Sequence, residues 1–492
     1  MPITNRNNRR TSADTDPWAS MHTEAEENTG MQAGVQDDIT SDMQQPVADS
    51  AFTQSQTQQQ QPVAGMNTAT APSQALSGRK NGFEPRVIAP TISIESEQYA
   101  KLFVRDIINA AITEGASDIH FEAQRYTARV RFRIDGILLD RGTIQIEQYN
   151  MVINTVKVLA DIDIAEHVMP QDGHIELSVR EKAGSEELVA PHDDHEHFYD
   201  VRVSTFPTVN GEAIVMRLLN RKHALLSLEE LGMEDTILTA LREAMRLSYG
   251  MVLITGPTGS GKTTTLYSVL SELKSSERNI ITLEDPIEFH LEWMRQCEIR
   301  EQRGFTYEAA MRSVLRQDPD VLMIGEIRGA ETAEQAVRSA LVGRIVGSTL
   351  HANTAVGTIA RLLDLGVPKS VLVHAVRVII AQRLVRKVCN QCRTEYTPDP
   401  AACKILGISP EGGTFYKGTG CDACNNTGFK GRTGIFSVML LSQTLQNMIF
   451  EEASLVDVQK QAIAEGMQTL KMNAAQKILS GMTTVEEVAR VV

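Results

Sequence analysis

The sequence predicts an α/β protein: a larger parallel-sheet domain, a smaller α+β domain ahead of it, and a cysteine-rich module with helices behind it. Three observations carry this. Apolar runs at 251–255, 279–284, 321–326 and 344–350 alternate with helical patterns, as strands do in a parallel sheet covered on both faces. The segment GPTGSGKT, Gly256 to Thr263, stands where the first run gives way to a helical pattern. Two Cys-x-x-Cys pairs, Cys389/Cys392 and Cys421/Cys424, follow the last strand pattern.

Taken in order, residues 1–88 are polar and Gln-rich, with Trp18, Phe52 and Phe83 as the aromatics before Pro85. Such composition buries too little apolar surface to offset chain entropy, so a disordered tail is expected, serving as a tether or docking arm. Residues 89–222 form the α+β domain: a helical pattern at 99–116, a strand pattern at 127–139, a helix from Tyr149 to Ala160, and strands at 173–180 and 199–209. The charged insert between the last two strands contains His192, His195 and His197. Their spacing matches no familiar metal site, and an exposed polar loop is expected. Residues 221–231 are a linker and 232–388 the parallel-sheet domain. The cysteine module spans 389–436, and helices are expected over 437–492.

The formal net charge of −14 argues against nucleic acid as the main partner, because phosphate-backbone binding needs clustered Lys and Arg. Four of the six cysteines have metal spacing, which points to a reducing compartment. No apolar stretch reaches the roughly 18 residues of a membrane span, and MPITNRNNRR lacks a signal-peptide apolar region. A cytoplasmic protein is expected, with any membrane attachment peripheral.

GPTGSGKT fits the phosphate-loop pattern G-x-x-x-x-G-K-[ST], here with the required strand before it and helix after it. Gly256, Pro257, Thr258, Gly259, Ser260 and Gly261 let backbone N–H groups wrap a phosphate chain, and the helix N-terminus adds a positive dipole end. Lys262 would reach the β- and γ-phosphates of ATP, Thr263 would hold Mg²⁺, and Thr264 extends the cradle. Glu326 ends the apolar run DPDVLMIGE, where a second conserved carboxylate of such sites belongs. Contact with Mg²⁺ through water and polarisation of the attacking water both fit it. A further acidic cluster, Glu284, Asp285 and Glu288, surrounds Pro286 at a strand's C-terminal edge, where ligands bind in open α/β sheets. One of these is a candidate general base, Glu288 being preferred; plain solvated charge is the alternative.

The 28 residues between Cys392 and Cys421 are more than the spacer of compact zinc ribbons. Four thiolates without His still suggest a closed structural Zn²⁺ site, with buried reduced thiols as the alternative. Cys297 and Cys403 are unpaired.

These pieces resemble the type II secretion and type IV pilus assembly ATPases over about residues 90 to 440. ASDIHFE, FRIDG, LADIDIAE, MPQDGHI, VRVSTFPT and GEAIVMRLL look like that family's second N-terminal domain. GPTGSGKTTTLYS resembles its Walker A segment and TLEDPIEF with Gln296 its Asp box. RQDPDVLMIGEIR is similar to its Walker B segment, STLHANT with His351 to its His box, and the cysteines with TGFKGRTGIF to its zinc module. The resemblance implies a RecA-like P-loop core in a homo-hexamer, with ATP held between neighbouring subunits. Arginines of the N-terminal domain would reach the γ-phosphate, Arg202 and Arg217 by motif. It also implies a peripheral place on the inner membrane, contact with a platform protein there, and pilin-like subunits moved indirectly. The direction expected is assembly rather than retraction, because retraction motors usually lack the cysteine module.

Arg344, Gly329 and Ser437 stand where the family usually has His, Asp and Glu, and residues 1–88 replace its first N-terminal domain. Two other functions compete. A nucleic-acid motor of the conjugation or packaging type would share the phosphate loop, and the acidic charge disfavours it. A scaffold that binds nucleotide with little turnover conflicts with Glu326 and Arg217.

Overall fold

The computed structural model describes residues 97–182, 185–189, 197–220, 225–246, 249–411 and 413–492. The predicted tail, and His192 and His195, lie outside the described residues.

The N-terminal part is a seven-stranded sheet backed by two helices. It runs α1 (Glu97–Thr113), β1 (Ala116–Ala123), β2 (Thr127–Ile134), β3 (Ile137–Gln145), α2 (Ile146–Leu159), β4 (Gln171–Lys182), β5 (Ser185–Val189), β6 (His197–Thr208) and β7 (Gly211–Asn220). Strand order is β3-β2-β1-β7-β6-β4-β5. Phe103 and Ile107 of α1 and Tyr149, Val152 and Val156 of α2 close over Phe121, Phe132, Val201 and Met216 from alternate strand positions, as an antiparallel sheet with one covered face requires.

Two expectations change here. The 127–139 pattern is two strands, because Asp135 and Gly136 both take positive φ, 48° and 85°, and turn the chain. The charged insert is not a plain loop: Lys182 pairs with Ser185 and Ser178 with Val189, so β4 and β5 form a hairpin. Charge does not forbid an edge strand; it protects one from pairing with another chain.

The larger part has the predicted α/β architecture. Its strands are β8 (Gly250–Thr255), β9 (Ile280–Glu284), β10 (Arg295–Glu298), β11 (Val321–Ile324), β12 (Ile345–Leu350), β13 (Val376–Val388) and β16 (Phe429–Leu440), with β14 (Arg393–Tyr396) and β15 (Phe415–Gly418) in a separate two-stranded ribbon. The order is β10-β9-β11-β12-β8-β13-β16. Pairing is parallel from β10 to β13, and β16 returns antiparallel. Strands β8, β9, β11 and β12 are buried at every position. Separate apolar cores lie on the two faces: Leu253, Leu283 and Leu322 point into one, Val252, Ile254 and Met323 into the other. Helices α3 (Asp235–Met245) and α4 (Lys262–Glu272) flank β8 in the chain.

Residues 437–440 belong to strand β16, and helices begin at Gln443. The cysteine module is therefore an excursion between two neighbouring strands of the core sheet. Helix Leu470–Leu479 packs on this region. Its Asn473 accepts from the Phe436 N–H (3.0 Å), and its buried Lys477 donates to the Gly232 carbonyl (2.6 Å).

Burial pushes the Lys477 ammonium down to about 8 against a weaker opposing pull from Glu234. Between about 8 and the ordinary 10.5, the unfolded chain binds a proton that the folded chain has released, so this group's contribution to stability rises with pH. Thermal unfolding of the wild type should gain on Lys477→Met as pH rises from about 7 to about 10. Parallel curves for the two proteins would contradict the burial assigned to this amine.

Candidate active site and metal centre

Strand β8 delivers the chain into the phosphate loop. Gly256, Gly259 and Gly261 have φ of 156°, 75° and 85°. A Cβ at Gly256 would meet the Gln382 carbonyl oxygen and Ser260 Oγ, each at 2.6 Å, so space as well as backbone angle excludes a side chain there. Pro257, Thr258 and Gly259 are exposed at the tip, Ser260 is buried, and Thr263 and Thr264 are half-buried on the first turn of α4. Lys262 opens α4, and its ammonium donates to the carbonyls of Gly256 (2.9 Å) and Pro257 (3.3 Å). Burial lowers its pKa, while Glu326 across the mouth opposes that. Gln382 of β13 braces the loop by donating to the Ser260 carbonyl at 2.6 Å.

Glu326 follows β11 and is held on both oxygens. Arg328 Nε donates to Oε2 at 3.1 Å, and His351 Nε2 lies 3.0 Å from Oε1. Arg328 also reaches Asp285 at 3.3 Å, joining the Walker B and Asp-box segments. Glu284 is different. It is buried, and its carboxylate accepts from Tyr267 OH, Thr282 Oγ1 (2.6 Å) and Gln296 Nε2 (3.1 Å). Burial and this carboxylate raise the Tyr267 phenol well above its ordinary pKa. Four residues on, Glu288 is half-buried and pairs with Arg202 at 3.4 Å, while Arg202 donates to the Ile287 carbonyl at 2.6 Å.

Arg202 and Arg217 are direct cross-strand partners on β6 and β7. They line a cleft of about 700 Å³ with His174 from the sheet and Pro286 and His290 from the Asp-box loop. Arg217 is aimed by buried Asp118, whose Oδ1 accepts its Nε at 3.1 Å. The sequence resemblance put ATP between neighbouring subunits. In the structure the arginine face meets the Asp-box loop of its own chain, because that loop leaves the C-terminal edge of β9 toward β6.

The four cysteine sulfurs lie within 4.8 Å of one another. Cys389–Cys421 and Cys392–Cys424 are 3.8 Å apart and Cys421–Cys424 3.7 Å. Sulfurs at about 2.3 Å around a tetrahedral zinc ion have edges of about 3.8 Å, so the spacing fits that ion. Backbone N–H groups also point at the sulfurs: Gly420 at Cys392 (3.3 Å), Cys421 at Cys424 (3.2 Å) and Gly428 at Cys424 (3.3 Å). Burial pushes the Cys424 thiol up, yet these donors and the neighbouring thiols hold it at about 7, favouring the thiolate that metals bind. Cys297 and Cys403 lie apart from the cluster.

The family model described as type II/IV secretion system protein matches residues 94–490. The chain belongs to the type II/IV secretion system protein family. Type II secretion system protein E of Pseudomonas aeruginosa is 41% identical over 389 residues, 79% of this chain and 74% of that protein. Type II secretion system ATPase E of Vibrio cholerae is 40% identical over 401 residues, covering 81% and 76%. The type IV pilus assembly ATPase PilB of Myxococcus xanthus is 42% identical over 386 residues, covering 78% and 66%. Among solved structures, the pilus retraction motor PilT with bound ADP superposes with a TM-score of 0.52 at 25% identity, covering 79% of this chain and 96% of that one. The ATPase DotB of Legionella pneumophila shares the fold, with a TM-score of 0.57 at 20% identity, covering 82% and 97%. This secretion-family chain is an ATPase, and its relatives include a type II secretion system ATPase and a type IV pilus assembly ATPase.

Sequence reasoning missed Arg328, Asp118 and Gln382 in this family member. Arg328 and Asp118 stand inside quoted segments, GEIR and ASDIH, whereas Gln382 lies on β13, a strand outside the apolar runs read from the sequence; only folding gives each a target. Glu284 was grouped with the catalytic acids, and here its carboxylate is occupied by three internal donors. Glu284→Gln would turn an acceptor oxygen into an N–H group facing donors, a loss of about 1–3 kcal/mol. A lowered melting temperature together with slow turnover is expected; unchanged stability with lost turnover would restore a chemical role to it.

Proposed function

We propose that this chain is a hexameric motor that hydrolyses ATP to drive assembly of pilin-like subunits for a type IV pilus or a type II secretion pseudopilus. It would act from the cytoplasm, docked peripherally on an inner-membrane platform protein. The relatives named above support the assembly role over a nucleic-acid motor. Among the described residues, no helix is long and apolar enough to cross a membrane. The observation that carries the site is a chain of contacts across four separate segments: Glu326 acts on Lys262 at the phosphate loop, Arg328 ties Glu326 to Asp285, and the same Asp-box loop sets Glu288 against Arg202.

The roles follow from that arrangement. Gly256 to Gly261 wrap the phosphates with backbone N–H groups, Lys262 swings from the loop carbonyls to the β- and γ-phosphates, and Thr263 and Thr264 border the Mg²⁺ position. Mg²⁺, when bound there, would neutralise phosphate charge. His351 and Arg328 hold Glu326 toward the cleft. Glu288 is the general base. It pairs with Arg202, and an arriving γ-phosphate competes for the same guanidinium. As Arg202 and Arg217 shift onto the phosphate, they stabilise transition-state charge and leave Glu288 free to take a proton from water. Glu284 holds the loop that presents Glu288. Cys389, Cys392, Cys421 and Cys424 bind a structural Zn²⁺ that shapes the module over residues 389–436.

Glu288→Gln and Arg202→Ala should each lose on the order of a hundredfold in turnover while keeping affinity for an ATP analogue. Mixed hexamers test which chain supplies the arginine. Arg202→Ala and Lys262→Ala chains co-assembled should stay inactive if the arginine serves its own chain; recovered turnover, absent from mixtures of either variant with wild type beyond simple dilution, would make the neighbour the donor. ATPase activity should rise with protein concentration until hexamers dominate, and activity of a monomer would defeat the motor. Metal analysis should find about one zinc per chain, released on Cys421→Ser with destabilisation of the C-terminal region; zinc-free reduced protein would refute the metal assignment.

A further inference from the structure

Domains joined by a small polar interface move relative to one another unless something fixes them. Among the described residues, the polar contacts between the N-terminal sheet and the ATPase core fall at two places. One is Arg202 on the Asp-box loop. The other lies beside the cysteine module. There the β2–β3 turn reaches strand β16: the Asp135 carboxylate accepts the Gly431 N–H at 2.8 Å, and Arg432 Nε lies 3.8 Å from its other oxygen. Asn425, just past Cys424, approaches Glu114 at 3.5 Å, and Glu114 in turn holds buried Arg141.

The two places are joined through the sheet. Arg133, Asp118, Arg217, Arg202 and His174 are consecutive cross-strand partners on β2, β1, β7, β6 and β4. Register partners share a face, so this is one row of side chains. Asp118 ties its first half together, accepting Arg217 Nε at 3.1 Å on one oxygen and lying 3.6 Å from Arg133 Nε on the other, with Ser117 Oγ donating at 2.8 Å. Arg133 stands two residues before Asp135. A turn fixed to β16 therefore fixes the end of the row that carries the arginines.

We propose that Asp135 is a positioning residue. Its turn latches the N-terminal sheet onto β16 beside the cysteine module, and the Arg133–Asp118–Arg217–Arg202 row transmits that placement to the cleft at the Asp-box loop. The inference rests on the roles given above to Arg202 and Arg217. The contact suits a latch. Asp135 and Gly431 both have positive φ, 48° and 74°, so a tight turn meets a strand at a glycine, where backbone can approach backbone. A small displacement of a catalytic charge costs much rate: about 1 Å can cost about a hundredfold.

The test uses the full chain. Asp135→Gly removes the carboxylate and accepts the positive φ. Asp135→Asn also tolerates that φ and keeps an acceptor for the Gly431 N–H. Asp135→Gly should lower kcat about tenfold or more, leave KM for ATP nearly unchanged, and speed hydrogen exchange in the Asp-box loop, residues 285–291. Asp135→Asn should recover most of both. Wild-type kcat in Asp135→Gly, or slowed turnover with unchanged exchange at 285–291, overturns the latch. Arg202→Ala, assayed alongside, separates the two levels. If it turns over normally, the assigned arginine role is wrong; if it is inactive while Asp135→Gly is normal, only the latch fails.

Discussion

Everything chemical in this chain depends on parallel strands ending together. Thr255 pairs with Leu350, Ile324 with Ser348, and Leu283 with Ile324. Strands β8, β12, β11 and β9 therefore release their loops at one edge of the sheet. The phosphate loop, the His351 loop, Glu326 and the Asp-box loop consequently emerge side by side although nearly a hundred residues separate the first from the His box. Both faces of these strands are buried, so apolar alternation does not set their register; the backbone ladder and the packing of each face into its own core do.

At that edge, charge sets which carboxylate is free to act. Glu284 is enclosed by three donors and serves the loop. Glu326 is clamped by His351 and Arg328. Glu288 has the weakest hold, a half-buried contact with Arg202 at 3.4 Å. The three acids thus differ in how many donors each already satisfies. The same logic applies to the arginines. Arg217 is fixed by buried Asp118, whereas Arg202 is held by groups of the loop it faces.

The cysteine module takes its importance from where it leaves and re-enters the core. It interrupts the polypeptide between β13 and β16, two strands that pair along most of their length. β13 also supplies Gln382 to the phosphate loop, and β16 receives the Asp135 turn. A tetrahedral metal at the base of this excursion would stiffen a segment that touches both the nucleotide loop and the N-terminal sheet.

The sequence alone determined the α/β core, the phosphate loop and the tetracysteine group, since each is local: apolar periodicity, a glycine–lysine spacing at a strand–helix junction, and paired thiols. It also carried the family resemblance that the comparisons bore out. It misjudged the 127–139 pattern, where two residues of positive φ reverse a chain whose apolar alternation continues unbroken, and residues 185–189 of the charged insert, where pairing of backbone outweighs polar composition. Tertiary structure decided the rest. The contact of Arg202 with the Asp-box loop, and the partners of Arg328, Asp118, Gln382 and Asp135, depend on contacts between residues from about 40 to nearly 300 positions apart. No local spacing encodes such contacts; they exist only once the sheets bring distant segments into register.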